Sequence, residues 1–339
     1  MVESFDIDIP QQAIARLRAY CPPPTHYYSL PLSRRAAVLI LLFADRYGDL
    51  RVVLTMRANT LKSYAGQAAL PGGKADSLSE TAFQTARREA YEEIGLPLED
   101  SKMPPPFRVE HLCQLPMNLA RTELGVRPTV AFISSTNSTQ SGSTGTTETN
   151  GRAPSVEEAL IPRLDAKEVA AVFSAPFHNF LRATDEKRGH IHTTASASPP
   201  DGAGVEAAGF PSGWYKGTWT DWHESRWRMH NFYVPVAGQT VTRPPPEQMV
   251  SPLPYRDRSP STGDDPLAGL SRFRVFGMTA RIMVDAARVA YGEDPEFEHN
   301  SHFGDEEMIE RLMRMGRLGP IRRRSDEITK EDMVAASKL

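Results

Sequence analysis

The sequence predicts an α/β or α+β sandwich, mixed strands with helices on the faces, and three observations predict it. Two apolar runs, Ala36 to Phe43 and Leu50 to Met56, are each one strand long and are joined through the turn-like Tyr47-Gly48-Asp49. Leu78 to Ile94 has helical periodicity with its own start and stop signals. Gly277 to Tyr291 is a second amphipathic helix, with Ile282, Ala286 and Val289 at helical spacing.

The remaining elements fall around these. Asp8 and Pro10 suit the N-cap and first turn of a helix ending near Tyr20, and Pro22 to Pro24 begin a linker. Ser77 and Glu80 form an S-x-x-E capping box for the helix that follows, and Gly95 with Pro97 stops it. Within that helix Ala82, Ala86 and Ala90 make a narrow stripe of small residues flanked by Phe83 and Ile94, a face able to lie close on a sheet. Further strands are expected over Phe107 to Gln114, Arg127 to Ile133, Val169 to Phe173 and His230 to Val236. Ser134 to Ser155 is almost wholly Ser, Thr, Gly and Asn, Thr193 to Ser212 is rich in Ala, Gly, Ser and Pro, and Val241 to Gly269 in Pro and Ser. Such compositions bury too little apolar surface to fold, so all three read as flexible surface insertions. The expected organisation is a helix and linker over 1–27, a main domain over 28–292 with insertions near 134–155, 193–212 and 241–269, and a helical or flexible tail over 293–339.

Composition narrows the function. A chain of 339 residues with a net charge of −3 is long enough for one large domain and too balanced to argue for nucleic-acid binding. Two cysteines, Cys21 and Cys113, build neither a disulfide framework nor a four-thiolate zinc site. No apolar run approaches the ~20 residues that span a bilayer, and MVESFDIDIP lacks the regions of a signal peptide.

The chemistry gathers at the end of the alanine-striped helix, where Arg88, Glu89, Glu92 and Glu93 follow one another. Glu93 projects inside the stripe, Glu89 lies at its border and Glu92 points away. Carboxylates on a packing face need a metal or a cationic side chain beside them. Arg88 is either that cation or the group that holds a carboxylate ready for one. For Glu92 an ordinary solvated face serves equally well. Upstream, Arg57, Lys62 and Lys74 surround a glycine-rich turn and can neutralise phosphates, arginine by a bidentate contact and lysine as a point charge. Gly66, Gly72 and Gly73 serve the backbone of that turn. A strand-end arginine paired with a helix carboxylate is the competing reading of Arg57. Trp214, Trp219, Trp222 and Trp227 crowd one stretch with His223 and His230. They suit anchors of a hairpin on the core or on a dimer partner better than a stacking platform for adenine.

Leu70 to Leu96 resembles the Nudix box, G-x5-E-x7-R-E-U-x-E-E-x-G-U, with Glu80, Arg88, Glu89, Glu92, Glu93, Gly95 and Leu96 matching in order and spacing. It departs in one extra residue between Gly73 and Glu80 and in Ala90, which stands where the box has a bulky residue. Leu54 to Lys74 is similar to the added signature of the coenzyme A diphosphatase branch. Thr55, Arg57, Leu61, Gly66 and Gln67 fall on its positions, while Lys62 replaces an arginine and Tyr64 a histidine. Arg127-Pro128, Ser174-Ala175-Pro176 and Phe276-Gly277-Met278-Thr279 resemble the fungal peroxisomal members, so that the likeness runs through roughly residues 35 to 290.

The resemblance implies a Nudix-type α/β/α sandwich with a mixed central sheet. It implies metal-dependent cleavage of the diphosphate of coenzyme A or acyl-coenzyme A to 3′,5′-ADP and (acyl-)4′-phosphopantetheine. Glu89 and Glu93 would bind Mg²⁺ or Mn²⁺, with Glu92 completing the shell directly or through water. Arg88 would orient the carboxylates, and Glu168, before the Val169 strand, would be a base or further ligand. Arg57, Lys62, Gly72, Gly73 and Lys74 would face the substrate. The alternatives are a Nudix diphosphatase for NADH or ADP-ribose and an inactive Nudix binding module. Ser337-Lys338-Leu339 is the S-K-L address read by the peroxisomal import receptor, which places the protein in the peroxisomal matrix without a membrane tether. A polar, flexible stretch is expected before it.

Overall fold

The structure is a computed structural model describing residues 9–58, 66–135, 156–160, 163–186, 213–222, 225–244, 267, 270–321 and 328–338. Its organising element is β1 (Arg35–Ala44), RAAVLILLFA, buried along nearly its whole length on both faces, as an interior strand of a covered sheet should be. β2 (Leu50–Arg57) returns antiparallel beside it through a turn in which Gly48 has φ 92°. β7 (Gly125–Ser135) runs parallel to β1 on the other side, so the sheet is mixed.

The shorter strands complete the sheet. β5 (Phe107–Gln114) flanks β7, and β8 (Val169–Pro176) and β3 (Ala68–Ala69) pair with β2. β4 (Gly72–Lys74) pairs antiparallel with the start of β1, and β6 (Asn118–Leu119) pairs with β7. The whole is an eight-stranded sheet.

Side chains alternate across β1 and so divide the core in two. Leu39, Leu41 and Phe43 face α2 (Ala82–Ile94), whose Ala82, Ala86 and Ala90 are fully buried against them. Ile40 and Leu42 face α1 (Ile9–Ala19) and α4 (Gly277–Tyr291). These are the layers of an α/β/α sandwich, and the alanine stripe lets α2 approach the sheet closely. A second antiparallel sheet, β9 (Tyr215–Trp222), β10 (Ser225–Pro235) and β11 (Arg272–Phe276), packs beside α4, with β11 running into α4 at Gly277. α3 (Val156–Ala159), α5 (Glu306–Arg314) and α6 (Lys330–Lys338) complete the described elements.

Three expectations need correction. The central helix starts at Ala82 rather than Leu78, because the capping box is Thr81 with Gln84. Gln84 N donates to Thr81 Oγ1 at 3.2 Å and Thr81 N to Gln84 Oε1 at 2.9 Å. Glu80 is unavailable as the reciprocal cap because its carboxylate accepts from Arg88, Asp76 N and Thr85 Oγ1. The β10 strand begins at Ser225, five residues before His230, held there by its pairing with β9. The stretch before the S-K-L tripeptide is helical, since α6 buries Met333 and Ala336 against the rest of the fold and Ser337 Oγ caps Val334 O. Most of the three insertions, with Asp8 and Leu339, lies outside the described residues. Ser134 and Ser135 instead finish β7, and Thr242 exchanges backbone hydrogen bonds with Val172. Among the described residues no helix is long and apolar enough to cross a membrane.

Candidate active site

The site forms where β4 meets the C-terminal half of α2. Gly72 N donates to Glu93 Oε2 at 3.2 Å, and Arg57, at the end of β2, brings Nη1 to 3.9 Å from Glu93 Oε1. Glu93 is only 3% exposed. Glu89, one turn earlier, lays its carboxylate over Gly73, so close that a Cβ there would overlap it. Gly72 has the positive φ expected of a glycine here, but Gly73 is glycine for another reason. Gly72–Lys74 is a strand, and Gly73 has no positive φ; it is glycine because Glu89 occupies the space of a side chain. Gly72 has φ 153°, and a Cβ there would meet the backbone of Ala37 and Val38.

Arg88 is the hub. Its Nε donates to Glu80 at 2.8 Å, its Nη1 to Glu89 and to Glu92 at 3.2 Å each, and its Nη2 to Lys74 O at 2.8 Å. One guanidinium thus ties the helix to the strand and fixes the Glu89 rotamer. Arg88 holds Glu80 below the usual carboxylate range, helped against burial by Asp76 N and Thr85. Glu89 behaves oppositely. Burial pushes it up against Arg88, and the charges of Glu92 and Glu168 push further. Glu93 is raised to about 8, first by burial, opposed by the Gly72 amide and Arg57 and reinforced by Glu89 and Glu168. Glu168 is thus brought into the field of the pair. It sits exposed in the turn before β8, held beside the end of β2 by Ala58 N donating to its carbonyl at 2.8 Å. Glu92 is turned to solvent, its side chain 51% exposed.

Burial raises both carboxylates and Glu89 raises Glu93 further, so the pair is under-neutralised, and an oxygen-only donor set of this kind suits a hard divalent cation. Among the described residues no group of three or more His, Cys, Asp and Glu side chains is arranged so that it could hold a metal ion. The donors at hand are Glu89 and Glu93 as a pair, with Glu168 near.

A cleft of about 530 Å³ opens beside β4. Arg57, Gln67, Gly72, Gly73 and Lys74 line its polar end. Arg57 ends a strand near a helix carboxylate, as the competing reading has it, and also lines the cleft, with its buried Nε lacking a hydrogen-bond partner. Arg121 and Thr122 lie on its rim. Lys62 lies outside the described residues. The tryptophans divide. Trp214 is an anchor, 2% exposed, packed on Phe180 and Phe232 with Nε1 donating to Asn179 O. Trp219 lies on the surface under Arg228. Trp227 lines the cleft with Met229 and Thr220 of the same hairpin. His230 bonds His299 and Tyr215 on the far face of the hairpin. Sequence reasoning missed Met229 and Arg121 altogether. The start of α4, Gly277 to Thr279, also lines the cleft, and its signal was the Phe276-Gly277-Met278-Thr279 segment.

Residues 33–115 match the model of the NUDIX domain. The peroxisomal coenzyme A diphosphatase 1 of Saccharomyces cerevisiae is 30% identical over 300 residues, covering 87% of this chain and 80% of that protein. Nudix hydrolase 22 of Arabidopsis thaliana, chloroplastic, is 29% identical over 78% of this chain and 58% of its own length. An uncharacterised Nudix hydrolase NudL of Yersinia pestis is 42% identical over 90 residues, 25% of this chain and 44% of that one. Among solved structures, a MutT protein from Methanosarcina mazei Go1 aligns over 43% of this chain and 80% of its own at 18% identity, with a TM-score of 0.26, too low to bear on function. The domain match and the yeast relative, falling on the residues that form the Arg88 network, show that this chain belongs to the Nudix family of hydrolases.

Proposed function

We propose that the protein hydrolyses the diphosphate of coenzyme A and its acylated derivatives, giving 3′,5′-ADP and (acyl-)4′-phosphopantetheine. The observation that carries this is the Glu89–Glu93 pair, Glu93 buried and Glu89 laid over Gly73, beside a cleft lined by Gly72, Gly73, the cations Arg57 and Lys74 and many apolar side chains. A diphosphate bridging two large arms needs all three. The length of the similarity to the yeast coenzyme A diphosphatase supports the same substrate.

Glu89 and Glu93 would hold Mg²⁺ or Mn²⁺, with Glu92 reaching the shell through water. The ion, when bound, screens the diphosphate charge and lowers the pKa of a water. The chain's own residues do the rest. Arg88 fixes Glu89, and the Gly72 amide fixes Glu93. Arg57 and Lys74 neutralise phosphate oxygens, with Lys62 assigned to the same task from the sequence. Glu168, exposed and felt electrostatically by both members of the pair, would act as the base for the attacking water or as a further ligand. Peroxisomal residence is part of the proposal, supported by Ser337-Lys338-Leu339 and by the yeast relative's name.

The test is hydrolysis of coenzyme A, an acyl-coenzyme A and NADH in parallel, with Mg²⁺, Mn²⁺ or chelator, products separated by chromatography. Release of 3′,5′-ADP that chelator stops is expected. Preference for NADH, or no turnover of any diphosphate, refutes the substrate. A fluorescent fusion ending in Ser337-Lys338-Leu339, compared with one lacking the tripeptide, tests the compartment.

A further inference from the structure

The cleft's far wall comes from residues distant in sequence from the carboxylates and outside the NUDIX match at 33–115. On β10, Trp227 and Met229 share one face and point into the cleft; Met278 and Ile282 of α4 line it with them, as do Leu124, just before β7, and Val126 in it. None of these six carries a charge, and the same cleft is also lined by Arg57, Lys74, Arg121 and Arg281. The face of β10 turned away from the cleft is pinned. Tyr215 Oη bonds His230 Nδ1 at 3.0 Å, His230 Nε2 bonds His299 Nδ1 at 2.9 Å, and His299 Nε2 bonds Asp285 Oδ1 of α4 at 2.9 Å. A hairpin bolted to α4 on one side presents its other side as a fixed surface.

Resting on the function proposed above, we infer that Trp227, with Met229 and Met278, is the specificity wall for the apolar arm of the substrate. The diphosphate seats at the Arg57–Lys74 end, and the acyl chain on the thioester lies along the indole and the two thioethers. An indole gives a broad apolar surface at little entropic cost, and methionines adapt to chains of different length. The wall therefore makes turnover depend on acyl length, while the Arg88 network serves every chain length alike.

The experiment measures kcat/KM of the full-length protein with coenzyme A and with its acetyl, octanoyl and dodecanoyl thioesters, for wild type, Trp227→Ala, Trp227→Phe and Met229→Ala, each checked by circular dichroism and thermal melting. The dodecanoyl-to-acetyl ratio is expected to exceed one in wild type, to fall about tenfold in Trp227→Ala and to recover most of that in Trp227→Phe, with Met229→Ala between. Equal losses on all four substrates, or an unchanged ratio, overturn the wall while leaving the proposed function standing. A wild-type protein that cleaves none of the four overturns both. If Trp227→Ala does not fold, the ratio in Met229→Ala decides the matter in the same way.

Discussion

Gly73→Ala isolates the approach of helix to strand on which the site depends. An alanine Cβ would stand 2.5 Å from Glu89 Oε2, against an ordinary contact beginning at 3.4 Å. The backbone at Gly73 is not in the left-handed region and can accept alanine, so the carboxylate, the far end of a flexible side chain, is what must give. It must retreat by about 1 Å, and misplacing a catalytic group by that much costs on the order of 10²-fold in rate, or about 2.7 kcal/mol of barrier. Global stability should stay within ~1 kcal/mol, because the lost chain entropy of glycine offsets the local crowding. The assay pairs coenzyme A hydrolysis in Mg²⁺ with urea unfolding, and Gly72→Ala serves as contrast. There the added methyl meets the Val38 backbone at a φ of 153°, and unfolding should be easier by ~2 kcal/mol or more. A Gly73→Ala enzyme of normal activity, or one that loses activity only in step with its stability, would refute the reasoning.

Three other outcomes are expected. Glu93→Gln should abolish turnover and leave the fold intact, since it removes a buried charge and keeps the Gly72 amide bond; a retained rate speaks against the metal role. Arg57→Ala should raise KM for coenzyme A about tenfold and for its 3′-dephospho form less, and equal rises would remove Arg57 from recognition of the 3′-phosphate. His230 is pushed down to about 3 by burial first and then by the charges of His299, Arg228 and Arg281. Its folded pKa lies below the unfolded value of ~6.5, so the unfolded chain binds the extra proton, and its contribution is present above that pH and lost as pH falls. Between pH 7 and pH 5 the loss is about 2 kcal/mol, which urea titrations of wild type should show and His230→Gln should not; parallel pH profiles would contradict it.

How far the fold was legible depended on whether a residue's surroundings are local. The Ala82-Ala86-Ala90 stripe announced a helix lying close on a sheet, and all three are fully buried there. The capping box read from the sequence, Ser77 with Glu80, lies just ahead of the one that forms, Thr81 with Gln84, because Arg88 takes the Glu80 carboxylate across eight residues. β4 is three residues of Gly-Gly-Lys with no periodicity; only the edge of β1 makes it a strand. β9 and β11 were missed because their pairing partner, β10, was read from its second half alone. The same division runs through the site. Arg88, Glu89 and Glu93 were placed by helical spacing. Trp227, more than 130 residues away from them, entered the cleft through a tertiary contact that no spacing encodes.

The electrostatics explain why one arginine stands among so many glutamates. A charge-assisted bond at 2.8 Å neutralises Glu80, which is held low and serves the structure. Glu89 and Glu93 receive less. One shares Arg88 with three other acceptors, and the other has a single amide and an arginine at 3.9 Å. Burial favours the neutral form of both, and a divalent cation between them would favour the ionised form again. On the proposed metal role this uneven sharing has a purpose: Arg88 satisfies Glu80 first, which serves the structure, and leaves Glu89 and Glu93 to be satisfied by an ion.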